Sequence, residues 1–308
     1  MVRGAKQQAL AVNNKIKMPA GDRALLTVNN VFLWALLLII LIPLIYILAA
    51  SFSSASAVIA GEVYLWPVDF SLTGYEAVFS NNQLGSGFLN SFFYMFFGTI
   101  CSLAATIMAA YPLSRKEMYA RNWLMVFFTF TMMFNGGLIP TYLVVRDLGL
   151  VDSRLALIIP NALSVYYMIV ARTYFQSTIP DELAEAADLD GCSDAGFIVR
   201  VVLLLSGPLI ATLSLFFAVA QWNSYFDALI YLTSQEKYPL QIILRNILIM
   251  NQMDANMMTS VEAMERSQGL RELLKYSLIV VASVPVLAIY PFVQKYFIKG
   301  IMIGAIKG

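Results

Sequence analysis

The sequence predicts an all-α, polytopic membrane protein with six transmembrane helices. Three observations lead there. Of its 308 residues, 59% are hydrophobic and only 13% charged, about half the ~25% charge of a soluble domain. The mean hydropathy is +0.72. Six stretches, 28–50, 87–113, 122–145, 155–171, 201–226 and 276–294, contain no Asp, Glu, Lys or Arg, and about 20 apolar residues suffice for a helix to cross a hydrocarbon core of ~30 Å.

The same composition excludes several functions. A chain this apolar is not disordered. A net charge of +1 offers no electrostatic footprint for nucleic acid, so none is expected as a partner. Histidine is absent, which removes the commonest general base and the commonest metal ligand. Cys101 and Cys192 are too few for a zinc site or a disulfide framework and read as small apolar residues. No glycine is followed by lysine, so the phosphate-cradling GxxxxGK[ST] loop is missing. The expectation is no catalytic residue, no metal and no cofactor on this chain.

Taken in order, the first stretch has full spanning length, although Ala55-Ser56-Ala57 behind it also fits a signal-peptide cleavage site. The second and third are long enough to span. The fourth is short and interrupted by Pro160 but reads as a span, with a re-entrant segment as the lesser alternative. The fifth and sixth are unbroken by charge. Of the twenty Lys and Arg, seven (Arg146, Arg154, Lys237, Arg245, Arg266, Arg271, Lys275) fall on one side of this arrangement and the remaining thirteen on the side of the termini. The positive-inside bias therefore places both termini in the cytoplasm. Tyr64, Trp66, Tyr142, Trp222 and Tyr225 near the outer ends suit an interfacial belt. The domain plan is a cytoplasmic tail 1–27, a transmembrane domain 28–298 and a cytoplasmic tail 299–308. Its connections include outer loops 51–86 and 231–275 and an inner loop 172–200.

The inner loop is the most informative segment. Pro180 precedes Asp181 and Glu182, acids favoured in a first helical turn, and Glu185-Ala186-Ala187 favours helix. Gly191 marks a stop, and a second amphipathic piece carries Phe197, Ile198 and Val201 on one side. Six acids (Asp181, Glu182, Glu185, Asp188, Asp190, Asp194) oppose the positive-inside bias. An acidic helical hairpin fits a docking surface for a basic partner; a solvated connection fits the composition equally.

The segment ELAEAADLDGCSDAGFIVRVVLLLSGP, 182–208, resembles the EAA loop of membrane subunits of ATP-driven, binding-protein-dependent importers. The closing segment QKYFIKGIMIGAIKG resembles that of maltose-type (MalG-like) carbohydrate permeases. NGGLIPTYLVVRDLGLVDS from Asn135 and AQWNSYFDALIYL from Ala220 resemble a Gram-positive oligosaccharide or glycoside branch. The resemblance covers roughly residues 25–308. One departure is Leu204, where the family usually has proline and which leaves the bend into the fifth span open; Pro208 is retained.

The resemblance implies the type I ABC importer permease fold in a bacterial plasma membrane. It also implies a second permease subunit, two ATP-binding subunits holding ATP and magnesium, a solute-binding protein and a carbohydrate substrate. Glu185, Ala186, Ala187, Asp190 and Gly191 would form the coupling helix and its turn, with the two alanines thin enough to enter a cleft of the ATPase. Asn90, Asn135, Asn161, Gln221, Asn223 and Tyr225 are candidates for the solute path, because uncharged amides and aromatic faces suit a neutral polyhydroxylated solute; interhelical hydrogen bonding is the competing role. Tyr238-Pro239-Leu240-Gln241 would face the binding protein. Met250, Met253, Met257, Met258 and Met264 fit adaptable packing better than a soft-metal site. A polyol, phosphodiester or peptide substrate, or a scaffold that moves no solute, remain as alternatives.

Overall fold

The computed structural model describes residues 19–80, 82–255 and 261–305, and is helical throughout, with no strand among them. Ten helices carry the architecture: α1 (Ala20–Ser51), α2 (Asn82–Ser114), α3 (Arg121–Met133), α4 (Leu138–Asp147), α5 (Val165–Thr178), α6 (Asp181–Leu189), α7 (Gly207–Trp222), α8 (Phe226–Tyr231), α9 (Leu240–Ala255) and α10 (Val261–Ala305). Further short helices, among them Ala55–Ile59 and Thr73–Phe79, fill the connections.

Helix α2 is the centre, packed against α5, α7 and α9. One stripe explains this. Gly87, Ser91, Tyr94, Gly98, Ser102, Thr106 and Ala110 recur every three or four residues and are all buried, so a single face of mostly small side chains lets neighbouring backbones approach closely. At Gly98 the approach is close, since a Cβ there would lie 2.6 Å from Cδ of Gln221 on α7. Helix α7 is fastened in turn to α10, where the Trp222 indole donates to the Ala282 carbonyl at 3.1 Å. Trp222 is thus a core residue, 1% exposed, and not part of the expected interfacial belt; its ring lies between Phe88, Phe92 and α10.

Among the described residues, three helical segments are long and apolar enough to cross a membrane: α1, α2 and the Gly269–Pro291 part of α10. The expected third and fifth spans are bent. Helices α3 and α4 meet at 115° across 134–137, where Asn135 Oδ1 accepts from the Gly137 N–H and Gly137 adopts φ +87°. The 194–205 segment meets α7 at 85°. The bend that Leu204 had left open is present, formed at Ser206 just before Pro208, which lacks an amide hydrogen and sits at the start of α7. Counting each bent pair as one span gives five. The fourth stretch is divided at 159–164 into a single turn, Leu155–Ile158, and α5.

The segment 231–275, expected as an outer loop, is no open loop. It folds into α9 and the first part of α10, which runs directly into the last span. Most of α1 is exposed along its apolar length, and only Ala49, Ala50 and Ser51 at its end are buried.

Replacing Gly98 with leucine should force the α2–α7 seam apart, because Gln221 is itself buried and overpacking of this kind costs about 1–3 kcal/mol. Thermal unfolding in detergent should show a melting temperature lowered by several degrees; an unchanged melting temperature would refute the close-packed seam.

Candidate functional site: the short acidic helix, the opposite crest and the cavity

At the inner end, α6 begins after Pro180 and carries Asp181 and Glu182 in its first turn, where acids complement the helix dipole. It ends in a Schellman turn: the Cys192 N–H donates to the Ala187 carbonyl, the Gly191 N–H to that of Asp188, and Gly191 sits at φ +73°. The next segment restarts at Ser193, whose hydroxyl accepts from the Gly196 N–H. Phe197 is buried beside Tyr111 and Phe175, and Ile198 and Val201 pack on the same cluster, as the amphipathic pattern requires.

The two faces of α6 differ. Ala184 and Ala187 pack on the core. Glu182, Leu183, Glu185, Ala186, Leu189 and Asp190 are exposed. Ala186 and Ala187 therefore do different work: Ala187 lets α6 lie close to its own protein, while Ala186 belongs to the outward face. Leu189 is 90% exposed, and with Leu183 and Ala186 it forms an apolar stripe at three-residue spacing flanked by acids. Leu183 and Leu189 carry no charge or amide to single them out in the sequence, although their spacing from Ala186 is the signal that finds them.

Helix α6 is fixed at its first residue. Asp181 pairs with Arg115 and Lys116, each at 3.0 Å. The hydrogen bond from Lys116 and the charges of both cations hold the Asp181 carboxyl below the usual carboxylate range, and the same contact raises the Lys116 ammonium.

At the outer end, α2 holds the segment 235–240 through its side chains. Asn90 Nδ2 donates to the carbonyls of Glu236 and Tyr238, and Asn90 Oδ1 accepts from Arg154. The Tyr94 hydroxyl donates to the Lys237 carbonyl, and Ser91 accepts from the Leu240 N–H. Asp152, at φ +56°, completes the knot by accepting from the amides of Thr233 and Ser234, the Ser234 hydroxyl and Lys237 Nζ. Those donors, the Ser234 hydroxyl first, hold the Asp152 carboxyl far below the ordinary range.

The knot revises two expectations. Asn90 is buried with both its amide hydrogens and its oxygen engaged, so it positions the outer segment instead of lining an open path. Pro239 and Leu240 are buried, Leu240 in the cluster with Trp222 and Leu278, and cannot face a partner. Tyr238 and Gln241 are half-buried, and the exposed crest is Thr233, Gln235 and Glu236.

Between the two ends, a cavity of about 300 Å³ is lined by Asn161, Gln221, Asn223 and Tyr225 together with Ser102 and Asp227. Four of the six polar candidates therefore converge. Asn161 Nδ2 donates to Asp227 at 2.6 Å, and Asn223 bonds the Val219 carbonyl of its own helix. Gln221 Oε1 is buried with no hydrogen-bond partner among the described residues. Asn135 lies elsewhere, in the α3–α4 bend. Of the methionines, Met257 and Met258 fall outside the described residues, as do the side chains of Met250, Met253 and Met264. No group of three or more potential metal-ligating side chains occurs among the described residues.

The chain is 42% identical over 278 residues to the polygalacturonan/rhamnogalacturonan transport system permease protein YtcP of Bacillus subtilis, covering 90% of this chain and 96% of that protein. It belongs to the carbohydrate permease family of ABC importers. The protein LplC of Bacillus subtilis is 40% identical over 280 residues, covering 91% and 94% of the two chains. A chain from the crystal structure of a bacterial ABC transporter involved in import of the acidic polysaccharide alginate superposes with a TM-score of 0.81 at 35% identity, covering 91% of this permease and 99% of that chain. No protein-family model matches the permease. As a permease it is a transport subunit and not an enzyme.

The depressed Asp152 carboxyl sets a sign for pH dependence. Its contribution to stability is complete above the ordinary carboxylate pKa of about 4 and is lost as pH falls below that, because the unfolded chain takes up the proton first. Asp152→Asn should melt below the native chain at neutral pH, and the gap should begin to narrow below about pH 4 and close only as pH falls towards the depressed native pKa. A gap constant with pH would contradict the knot.

Proposed function

We propose that this permease pairs with a second permease subunit and two ATP-binding subunits. The complex imports a carbohydrate, presented by a solute-binding protein, across a bacterial plasma membrane. The outward face of α6 carries this reading: an exposed Leu183–Ala186–Leu189 stripe with Glu185 and Asp190 beside it suits helix-in-groove docking, apolar anchors giving affinity and acids fixing register against basic groups. Among the described residues Glu185 makes no ion pair within its own chain.

In this reading both termini and α6 lie in the cytoplasm. ATP and magnesium are bound by the partner subunits, whose closure moves α6 as a rigid body and exchanges inward-facing and outward-facing states. The crest of Thr233, Gln235 and Glu236 faces the binding protein. The cavity bearing Asn161, Gln221, Asn223 and Tyr225 borders the solute path, where amides and an aromatic face meet the hydroxyls and apolar faces of a sugar. The names of the relatives, which refer to pectic polysaccharides and alginate, support an oligosaccharide over a polyol, phosphodiester or peptide.

The test is co-purification from mild detergent. An ATPase and a second permease should accompany the native chain, and Leu189→Asp or Glu185→Lys should lower recovery of the ATPase about tenfold, the effect of ~1.4 kcal/mol. A chain that emerges alone, or variants that retain the ATPase fully, would refute the coupling role of α6 and favour a scaffold.

A further inference from the structure

Helix α6 has two connections to the membrane core. At its C-terminal end the chain turns at Gly191 and runs through 194–205 into α7, the obvious route for motion. The N-terminal end has a second route through side chains. Arg115, one residue past the end of α2 and only 13% exposed, directs Nη1 to Asp181 and Nη2 to the Ile179 carbonyl, while its guanidinium lies over the Tyr111 ring at 5.0 Å. Arg172 Nε donates to the Leu113 carbonyl at 2.9 Å and Gln176 Nε2 to that of Ser114 at 3.4 Å. These two satisfy carbonyls at the last turn of α2, where the helix dipole also favours cations. Lys116 is 81% exposed, and exposed pairs contribute little, so Arg115 is the principal partner of Asp181.

The other end of α2 carries Asn90, Ser91 and Tyr94, which hold 236–240. From Asn90 to Ser114 one continuous helix spans about 36 Å at ~1.5 Å per residue. The geometry points to a positioning role for Asp181 and Arg115: they latch the coupling helix to α2, so that displacement of α6 is carried along α2 to the outer crest. The inference rests on the importer reading above. It assigns this ion pair to transmission and leaves attachment of the ATPase to the outward face of α6.

The experiment uses the assembled complex carrying Gln235→Cys on the crest, with Cys101 and Cys192 changed to serine and a fluorescent maleimide attached. Magnesium-ATP with vanadate, which traps the closed ATPase, should change the fluorescence. Asp181→Arg, facing Arg115 and Lys116, should keep the ATPase bound and hydrolysing while reducing the crest response at least fivefold. The exchange Asp181→Arg with Arg115→Asp and Lys116→Asp should restore it, which loss of a merely structural contact would not predict. Asp181→Asn, a milder change of the same size, should give an intermediate response. A full response in Asp181→Arg and Asp181→Asn overturns the latch, as does loss of the ATPase from Asp181→Arg or failure of the exchanged variant, folded by its melting temperature, to recover. An unmodified chain that brings down no ATPase would refute the importer reading itself, a result distinguishable from failure of the latch.

Discussion

The close packing of α2 against α5, α7 and α9 is the constraint on which the rest depends. In lipid, helices gain little from hiding apolar surface from one another, so their association relies on van der Waals contact and hydrogen bonds. The stripe Gly87–Ser91–Gly98–Ser102–Thr106–Ala110 supplies the first by removing side-chain bulk. Tyr94, Asn90 and Ser91 supply the second at the outer end, where they satisfy backbone groups of 236–240 that would otherwise be buried without partners. One helix thereby fixes the core and the 236–240 segment.

Those two surfaces are built in contrasting ways. The outer crest is a knot of side chain to backbone hydrogen bonds around Asp152 and Asn90, which fixes the segment in one pose. The inner helix is short and lies on the core through two alanines, with an ion pair at one end and a glycine turn at the other. Short elements with few buried contacts are free to shift as bodies, and α6 combines that freedom with defined attachments at both ends. The bend at Ser206, which is buried, fits the rule that irregular backbone at membrane depth is tolerated where it is enclosed by protein.

Much of this was legible in the sequence. Charge-free stretches located the helical core, and Pro180, Asp181 and Gly191 placed α6 with both of its ends, because caps and turns are local chemistry. The bends were not legible: hydropathy reports composition and not direction, so 122–145 and 201–226 read as straight spans. Nor was the burial of Trp222, Pro239 and Leu240, which depends on what α10 and α2 bring against them. Asn90 looked like a path residue because an amide in an apolar stretch has two possible uses, and only the position of 236–240 decides between them. The stripe on α2 and the Leu183–Leu189 spacing were present in the sequence as three- and four-residue periods, but a search for charge and amides passes over small and apolar residues.

The central claim is that the outward face of α6 receives an ATP-binding subunit. Its most direct measurement is cross-linking in native membranes from Glu185→Cys with a short thiol-to-amine reagent, with Gln235→Cys as the opposite-face control. The account predicts an adduct between this chain and an ATPase from position 185 and none from position 235. No ATPase adduct from position 185, or an equal yield from both positions, would contradict it.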